Sequence, residues 1–183
     1  MLKNVEREKI RIVTLPVSAW HKYKELRLRA LQREPLAFCS TYARETAWPD
    51  EKWQQRLRDA RDNESWIIFA KLDEKLVGMI GGNRNDEDKQ NHRCHIWGMY
   101  VDEKARKKGI AKALITKLLD SLRENEDVNV VRIEVNVNQK PARQLYQILG
   151  FRKIGTEKVA FGDGSEHKVL VMEKLLRTPS NKT

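Results

Sequence analysis

Short apolar runs of strand length alternate along this chain with longer segments whose apolar residues recur at helical spacing. Residues 10–15 alternate apolar with polar and predict a first strand. Ser18 then stands as N-cap of a helix running to Arg33 and stopped before Pro35. Residues 36–40 read as an irregular link, and Asp50 as the cap of a second helix with Trp53, Leu57 and Ala60 on one face. Residues 66–72 predict a strand, 73–75 a tight turn and 76–81 the hairpin partner, followed by a polar, charged loop over 83–91. A strand over 96–101 runs through a basic turn into a helix over 111–123, with Ile110, Leu114, Ile115, Leu118, Leu119 and Leu122 as its apolar stripe. A strand over 130–137 and a short helix over 142–149 follow. A last hairpin pairs 151–161 with 169–175 around Gly162-Asp163-Gly164. The order predicts a mixed α+β fold, a central sheet with helices packed on it.

Composition narrows the class. The 183 residues, 40% hydrophobic with five tryptophans, predict a single folded domain over 1–176 and a short frayed tail over 177–183. No apolar run reaches the length that spans a bilayer, and residues 1–6 lack the apolar stretch of a signal peptide, so a soluble, cytoplasmic protein without a membrane partner is expected. Cys39 and Cys94 have no metal-ligand spacing. His92, Cys94 and His95 cluster, but a loop entering a strand accounts for them better than a metal site, and no metal is expected. The net charge of +10 favours an anionic partner. Because 26 acidic residues are scattered among the 36 basic ones, without a long Lys/Arg block, nucleic acid is the weaker candidate.

The basic turn carries the sharpest chemistry. Arg106-Lys107-Lys108-Gly109-Ile110-Ala111 leads from an apolar strand into a helix start, where unpaired backbone N–H groups and the positive dipole end favour an anion. Glycine there lets a phosphate approach the main chain, and the three basic side chains add mobile positive charge. A solvated basic loop would look the same on composition alone.

A second segment supplies more. Arg106-x-x-Gly109-x-Ala111 together with Ala142-x-x-Leu145-Tyr146-x-x-x-Gly150-Phe151 resembles the GCN5-related N-acetyltransferase (GNAT) family over roughly residues 76–175. The pattern is most similar to that of ribosomal-protein alanine acetyltransferases. The resemblance implies a mostly antiparallel seven-stranded sheet, splayed between its fourth and fifth strands and flanked by about four helices. It implies acetyl-CoA as cosubstrate, with its pyrophosphate on Arg106, Lys107, Lys108, Gly109, Ile110 and Ala111. The pantetheine arm would pair with the main chain of Met99, Tyr100 and Val101. Glu134, twelve residues before Tyr146, takes the place of a general base, and Tyr146 that of a general acid on the departing thiolate. The family often has asparagine three residues before the motif's alanine; here Gln139 stands there with Asn138 beside it, so this cofactor contact is carried over weakly.

The residues themselves leave several readings open. Gly98 inside a strand marks either a bulge with close backbone approach or packing against a helix. Val131, Ile133, Val135 and Val137 alternate with Arg132, Glu134, Asn136 and Asn138, so one face of that strand looks toward water or a cleft. Tyr146 has a second, weaker reading as an amphipathic residue packed beside Leu145 and Phe151. Glu34, Glu45 and the tryptophans are candidates for shaping an acceptor pocket, and the family resemblance implies residues 36–38 and 83–91 as its walls. An N-acetyltransferase acting on a primary amine, at a peptide N-terminus or on a small molecule, is the leading reading, by direct attack in a ternary complex. A non-catalytic acyl-CoA-binding module is the alternative, and a homodimer stays open. A base matters because unmasking a lysine-like amine of pKa ~10.4 at neutral pH costs roughly 4–5 kcal/mol, against about 1 kcal/mol for an α-amine.

Overall fold

The structure, a computed structural model, describes residues 9–60, 65–85, 87, 89–160 and 165–177. Within these, the apolar runs become the strands β1 (Ile10–Val13), β2 (Ser65–Leu72), β3 (Lys75–Arg84), β4 (Arg93–Val101), β5 (Val130–Asn136), β6 (Arg152–Ala160) and β7 (Glu166–Leu175). The helices are α1 (Trp20–Arg33), α2 (Tyr42–Thr46), α3 (Asp50–Asp59), α4 (Ile110–Glu124) and α5 (Lys140–Ile148). Residues 1–8, the turn at 162–164 and the tail beyond Arg177 lie outside the described residues; Arg177 itself donates to the Arg123 carbonyl.

The seven strands form one sheet ordered β1-β2-β3-β4-β5-β7-β6, antiparallel except for the parallel β4–β5 pair. Helices cover both faces. On one, the six-residue stripe of α4 is buried against Ile68, Ile80, Ile96, Val131 and Ile133. On the other, Tyr23 and Leu26 of α1 and Trp53 and Leu57 of α3 pack against Phe69, Met79 and Tyr100. Each such side chain contributes about 1.5–3 kcal/mol by leaving water, so the two helical layers hold the sheet rigid between them. Among the described residues no helix is long and apolar enough to cross a membrane.

Two features open the sheet at its centre. The β4–β5 ladder runs only from Arg93↔Val130 to Ile96↔Ile133, although both strands continue. Beyond that point β5 stays paired with β7, whereas β4 bulges: Met79 pairs Tyr100 and Gly81 pairs Trp97, leaving Gly98 and Met99 opposite Ile80 alone. Gly98 adopts φ +68°, a left-handed conformation that L side chains rarely take. Of the two readings of Gly98, the bulge is therefore the one realised, and it turns the end of β4 away from β5. This is the splay implied by the family resemblance.

Several local expectations change. Ser18 lies in a tight 3-10 turn (Val17–Ala19) closed by Ala19 N–H on the Pro16 carbonyl at 2.9 Å, so the N-cap moves one residue on, to Ala19, and α1 starts at Trp20. Asp50 is the first helical residue of α3 rather than its cap, because Pro49 takes the N-cap position; the Asp50 carboxylate accepts from Lys24 Nζ at 2.8 Å. β3 runs on through Arg84, into what composition marks as loop. The helix α2 escapes the periodicity because it is a single short turn; Thr41 caps it, its Oγ1 accepting from Arg44 N–H at 3.1 Å.

Gly81 sits where the Trp97 indole crosses β3: a methyl there would lie 2.3 Å from the ring. Trp97 is also held by Nε1 donating to Asn83 Oδ1 at 2.8 Å. Gly81→Ala should therefore destabilise the protein by about 1–3 kcal/mol, the range for overpacking, read as a lower urea midpoint with unchanged slope.

Candidate active site

The chain is brought to the splay by the end of β4. Asp102 N–H donates to the Val77 carbonyl at 2.7 Å, and the Asp102 carboxylate accepts from Arg29 Nε at 3.1 Å and from the Tyr100 hydroxyl at 2.8 Å. Burial and the hydrogen bond to Asp102 push the Tyr100 phenol up to about 12, so its side chain is a fixed donor on the α1 side while its main chain faces the splay. The following turn uses two left-handed residues, Lys107 at φ +62° and Gly109 at φ +79°. Gly109 is the N-cap of α4 and makes no side-chain cap, leaving the first-turn N–H groups and the dipole directed outward. A Cβ at Gly109 would meet nothing within 4 Å, so it is the backbone conformation rather than crowding that calls for glycine.

These elements line a cavity of about 570 Å³. Of the expected cofactor residues, Met99, Tyr100, Val101, Arg106, Lys107, Gly109, Ile110, Ala111 and Gln139 line it, whereas Lys108 and Asn138 lie outside the lining. Asn138 instead closes a turn, its N–H donating to Asn136 Oδ1 at 2.9 Å, which also explains how Asn136 is buried on the polar face of β5. The expectation of three mobile cations needs one correction. Arg106 is braced at the cavity wall, Nε donating to the Val101 carbonyl at 3.0 Å and Nη2 to the Glu34 carboxylate, itself a lining residue. Glu34 thus belongs to this cavity and not to the acceptor side.

A second cavity of about 350 Å³ opens on the other side of the same junction, sharing Ala37, Met99, Gln139 and Tyr146 with the first. Tyr146, on α5, stands where the two meet and packs on Phe151 with ring centroids 6.0 Å apart. Burial pushes its phenol far above the ordinary tyrosine range, so it holds its proton throughout neutral pH. Glu134 projects from β5 into the second cavity, on the strand face opposite the buried Val131, Ile133 and Val135. Both expected catalytic side chains therefore share one cleft.

The floor of the second cavity is a buried ion pair. Arg27 Nε and Nη2 donate to the two Glu45 oxygens at 2.9 and 2.7 Å, with the residues only 5% and 1% exposed. The Arg27 guanidinium also lies 4.7 Å over the Phe38 ring. Burial alone would raise the Glu45 carboxyl, but the hydrogen bonds and charge of Arg27, with Arg56 beyond, hold it below its ordinary value. Burial pushes the Cys94 thiol up to about 12. Burial and the Glu134 charge raise that of Cys39, so neither sulfur has thiolate character. His95 sits at the cavity rim, where desolvation, helped by Arg132 and opposed by Glu134, favours the neutral imidazole. Cys94 and His95 are consecutive on β4 and face opposite sides of the sheet, Cys94 buried and His95 exposed, so they do not converge on a metal. Sequence reasoning missed Arg27, Arg44 and Arg56, all of which line this cavity. The usable signal was a charged residue, Arg27, inside the buried stripe Tyr23, Leu26, Ala30 and Leu31 of α1.

A family model described as acetyltransferase (GNAT) family matches residues 26–151. The chain belongs to that family. Among relatives, the GNAT chain is 34% identical over 91 residues to human N-acetyltransferase 8, covering 49% of this chain and 39% of the relative. It is 27% identical over 134 residues to L-amino acid N-acetyltransferase AaaT of Escherichia coli (strain K12), covering 72% and 78%. The match to human N-acetyltransferase 8 thus spans well under half of that relative's length. Among solved structures, YncA from Salmonella typhimurium, described as an acetyltransferase with its cofactor acetyl-CoA, aligns with a TM-score of 0.79 at 13% identity, covering 93% of this chain and 95% of that one. The GNAT fold is thereby shared well beyond recognisable sequence identity.

Proposed function

We propose that this protein transfers the acetyl group of acetyl-CoA to a primary amine by direct attack within a ternary complex. The observation that carries this reading is the meeting of two cavities at Tyr146 in the β4–β5 splay, one ending at the α4 N-terminus and the other lined by Glu134. The first suits the donor. Its left-handed Gly109 and outward N–H groups fit a pyrophosphate, and the main chain of β4 freed from β5 leaves hydrogen-bonding groups for an amide-bearing arm. The second suits the acceptor. Acetyl-CoA is the cosubstrate bound by the solved relative YncA, which supports the same donor here.

The chemistry follows from that arrangement. The acceptor enters from the Glu134 side as an ammonium and loses a proton to that carboxylate, directly or through a water. Its nitrogen lone pair attacks the thioester carbonyl carbon, and the carbonyl π pair moves to oxygen. Main-chain N–H groups at the bulge stabilise the resulting oxyanion. Collapse expels the thiolate of CoA, which takes the Tyr146 proton, while the nitrogen's second proton passes, directly or through a water, to the resulting phenolate, which gives the amide and restores Tyr146. Holding both reactants in adjoining cavities supplies the proximity term. A covalent route would need an activated nucleophile, and the two raised cysteines do not provide one.

Thiol release measured with acetyl-CoA and a panel of amines tests the reading. Turnover with at least one amine is expected, and acid-quenched mixtures of protein and acetyl-CoA alone should show no acetylated protein by mass spectrometry. Tight acetyl-CoA binding with no thiol release for any amine would favour the non-catalytic alternative instead.

A further inference from the structure

We propose that the second cavity selects amines that carry a carboxylate, free α-amino acids above all, with Arg56 as the carboxylate-binding residue. This rests on the acetyl-transfer reading and adds the acceptor class. Three observations support it. The Arg56 guanidinium lies 4.4 Å from the Trp97 ring centroid, 5.3 Å from Trp48 and 5.9 Å from Tyr23, yet has no hydrogen bond or ion pair with any described residue. Stacking on aromatic faces fixes a guanidinium in plane and leaves its N–H edge free, the geometry that binds a carboxylate bidentately. Secondly, Arg27 beneath it satisfies Glu45 with two nitrogens, while its third, Nη1, is buried without a partner 3.4 Å from where a Gly98 side chain would begin. A buried N–H without an acceptor is costly enough to be uncommon, and a ligand oxygen at the bulge would satisfy it.

The third observation is the charge layout. Arg27 and Glu45 cancel, leaving two guanidiniums, Arg44 and Arg56, against the single carboxylate of Glu134 among the ionised lining groups. The positive pair comes from α2 and α3, the negative group from β5 across the cavity. An α-amino acid carries both complements, an ammonium for Glu134 and a carboxylate for Arg56. A polyamine or simple amine would meet uncompensated positive charge, and a peptide N-terminus would offer a neutral amide where the carboxylate belongs. The volume of about 350 Å³ is at the small end for ligand sites and suits a free amino acid.

Steady-state thiol release with matched sets of L-amino acids, their α-amides and their decarboxylated amines tests this directly. The free acids should be favoured in kcat/KM by roughly 10- to 100-fold, the discrimination expected when a charged hydrogen bond is made or left unmade. Arg56→Gln should raise KM for the acids about tenfold or more, leave KM for acetyl-CoA unchanged, lower the melting temperature by no more than about a few degrees through the lost stacking, and flatten the difference between acids and amides. Arg56→Lys should recover part of it. Amides, amines or peptides turned over as well as the acids, or an Arg56→Gln defect equal for every acceptor, would overturn the assignment. No thiol release from any amine despite acetyl-CoA binding would sink the underlying acetyl-transfer reading along with it, and is recognisable as that separate failure.

Discussion

Glu45→Ala is expected to lower the stability of this protein by about 3–5 kcal/mol, because it leaves the Arg27 guanidinium buried and uncompensated. For a chain of this size each kcal/mol moves the melting temperature by about 2–4 °C, so a fall of roughly 6–20 °C should appear by calorimetry. The loss comes from stranding a charge and not from the worth of the pair. Arg27→Met combined with Glu45→Leu should therefore recover much of it. The pH dependence has a definite sign. Glu45 is held below its ordinary value of 4.5 in the folded protein, so its contribution is present above that pH and is lost as pH falls through the folded-state value. The wild type should show an acid limb of stability that the double variant lacks. An identical acid limb in both would show that other carboxylates set it.

Most of the architecture is legible because periodicity and burial coincide. The stripe on α4 and the alternation on β5 each reappear as buried faces, since a helix or strand against a sheet hides one side only. The donor side of the site is equally legible, because its pieces lie close together in sequence between Met99 and Ala111. What stays hidden is what the third dimension assembles. Gly109 announces itself as a glycine, but its reason is a left-handed φ in open space, not a close contact. Arg106 looks mobile until Glu34, at the far end of α1, comes within reach. Arg56 is an unremarkable basic residue of α3 until the Trp97 ring arrives from β4. The acceptor wall is drawn from α1, α2, α3, β4 and β5 together, and no local pattern encodes that convergence.

Tyr146→Phe should reduce kcat by about 10²- to 10³-fold while leaving the fold and the KM for acetyl-CoA close to wild type. General acid catalysis contributes about 10²–10⁴-fold, and the leaving thiol, with a pKa near 8.5, needs less help than an amine would, which puts the effect toward the lower part of that range. Stability should be spared because the ring keeps its packing on Phe151 and the hydroxyl makes no hydrogen bond to any described residue that the change would break. The solvent isotope effect, rather than the shape of the pH profile, separates a proton donor from a packing role. Because burial raises the phenol, the proton stays on Tyr146 well past pH 10, so kcat should climb with amine deprotonation and then level without an alkaline fall. The phenylalanine variant should keep that shape at a lower plateau. It should also show a larger share of rate limitation by thiolate departure, visible as a changed solvent isotope effect on kcat. Unchanged kcat in the variant would reduce Tyr146 to a wall of the junction and leave the thiolate to be protonated by water entering from the donor cavity.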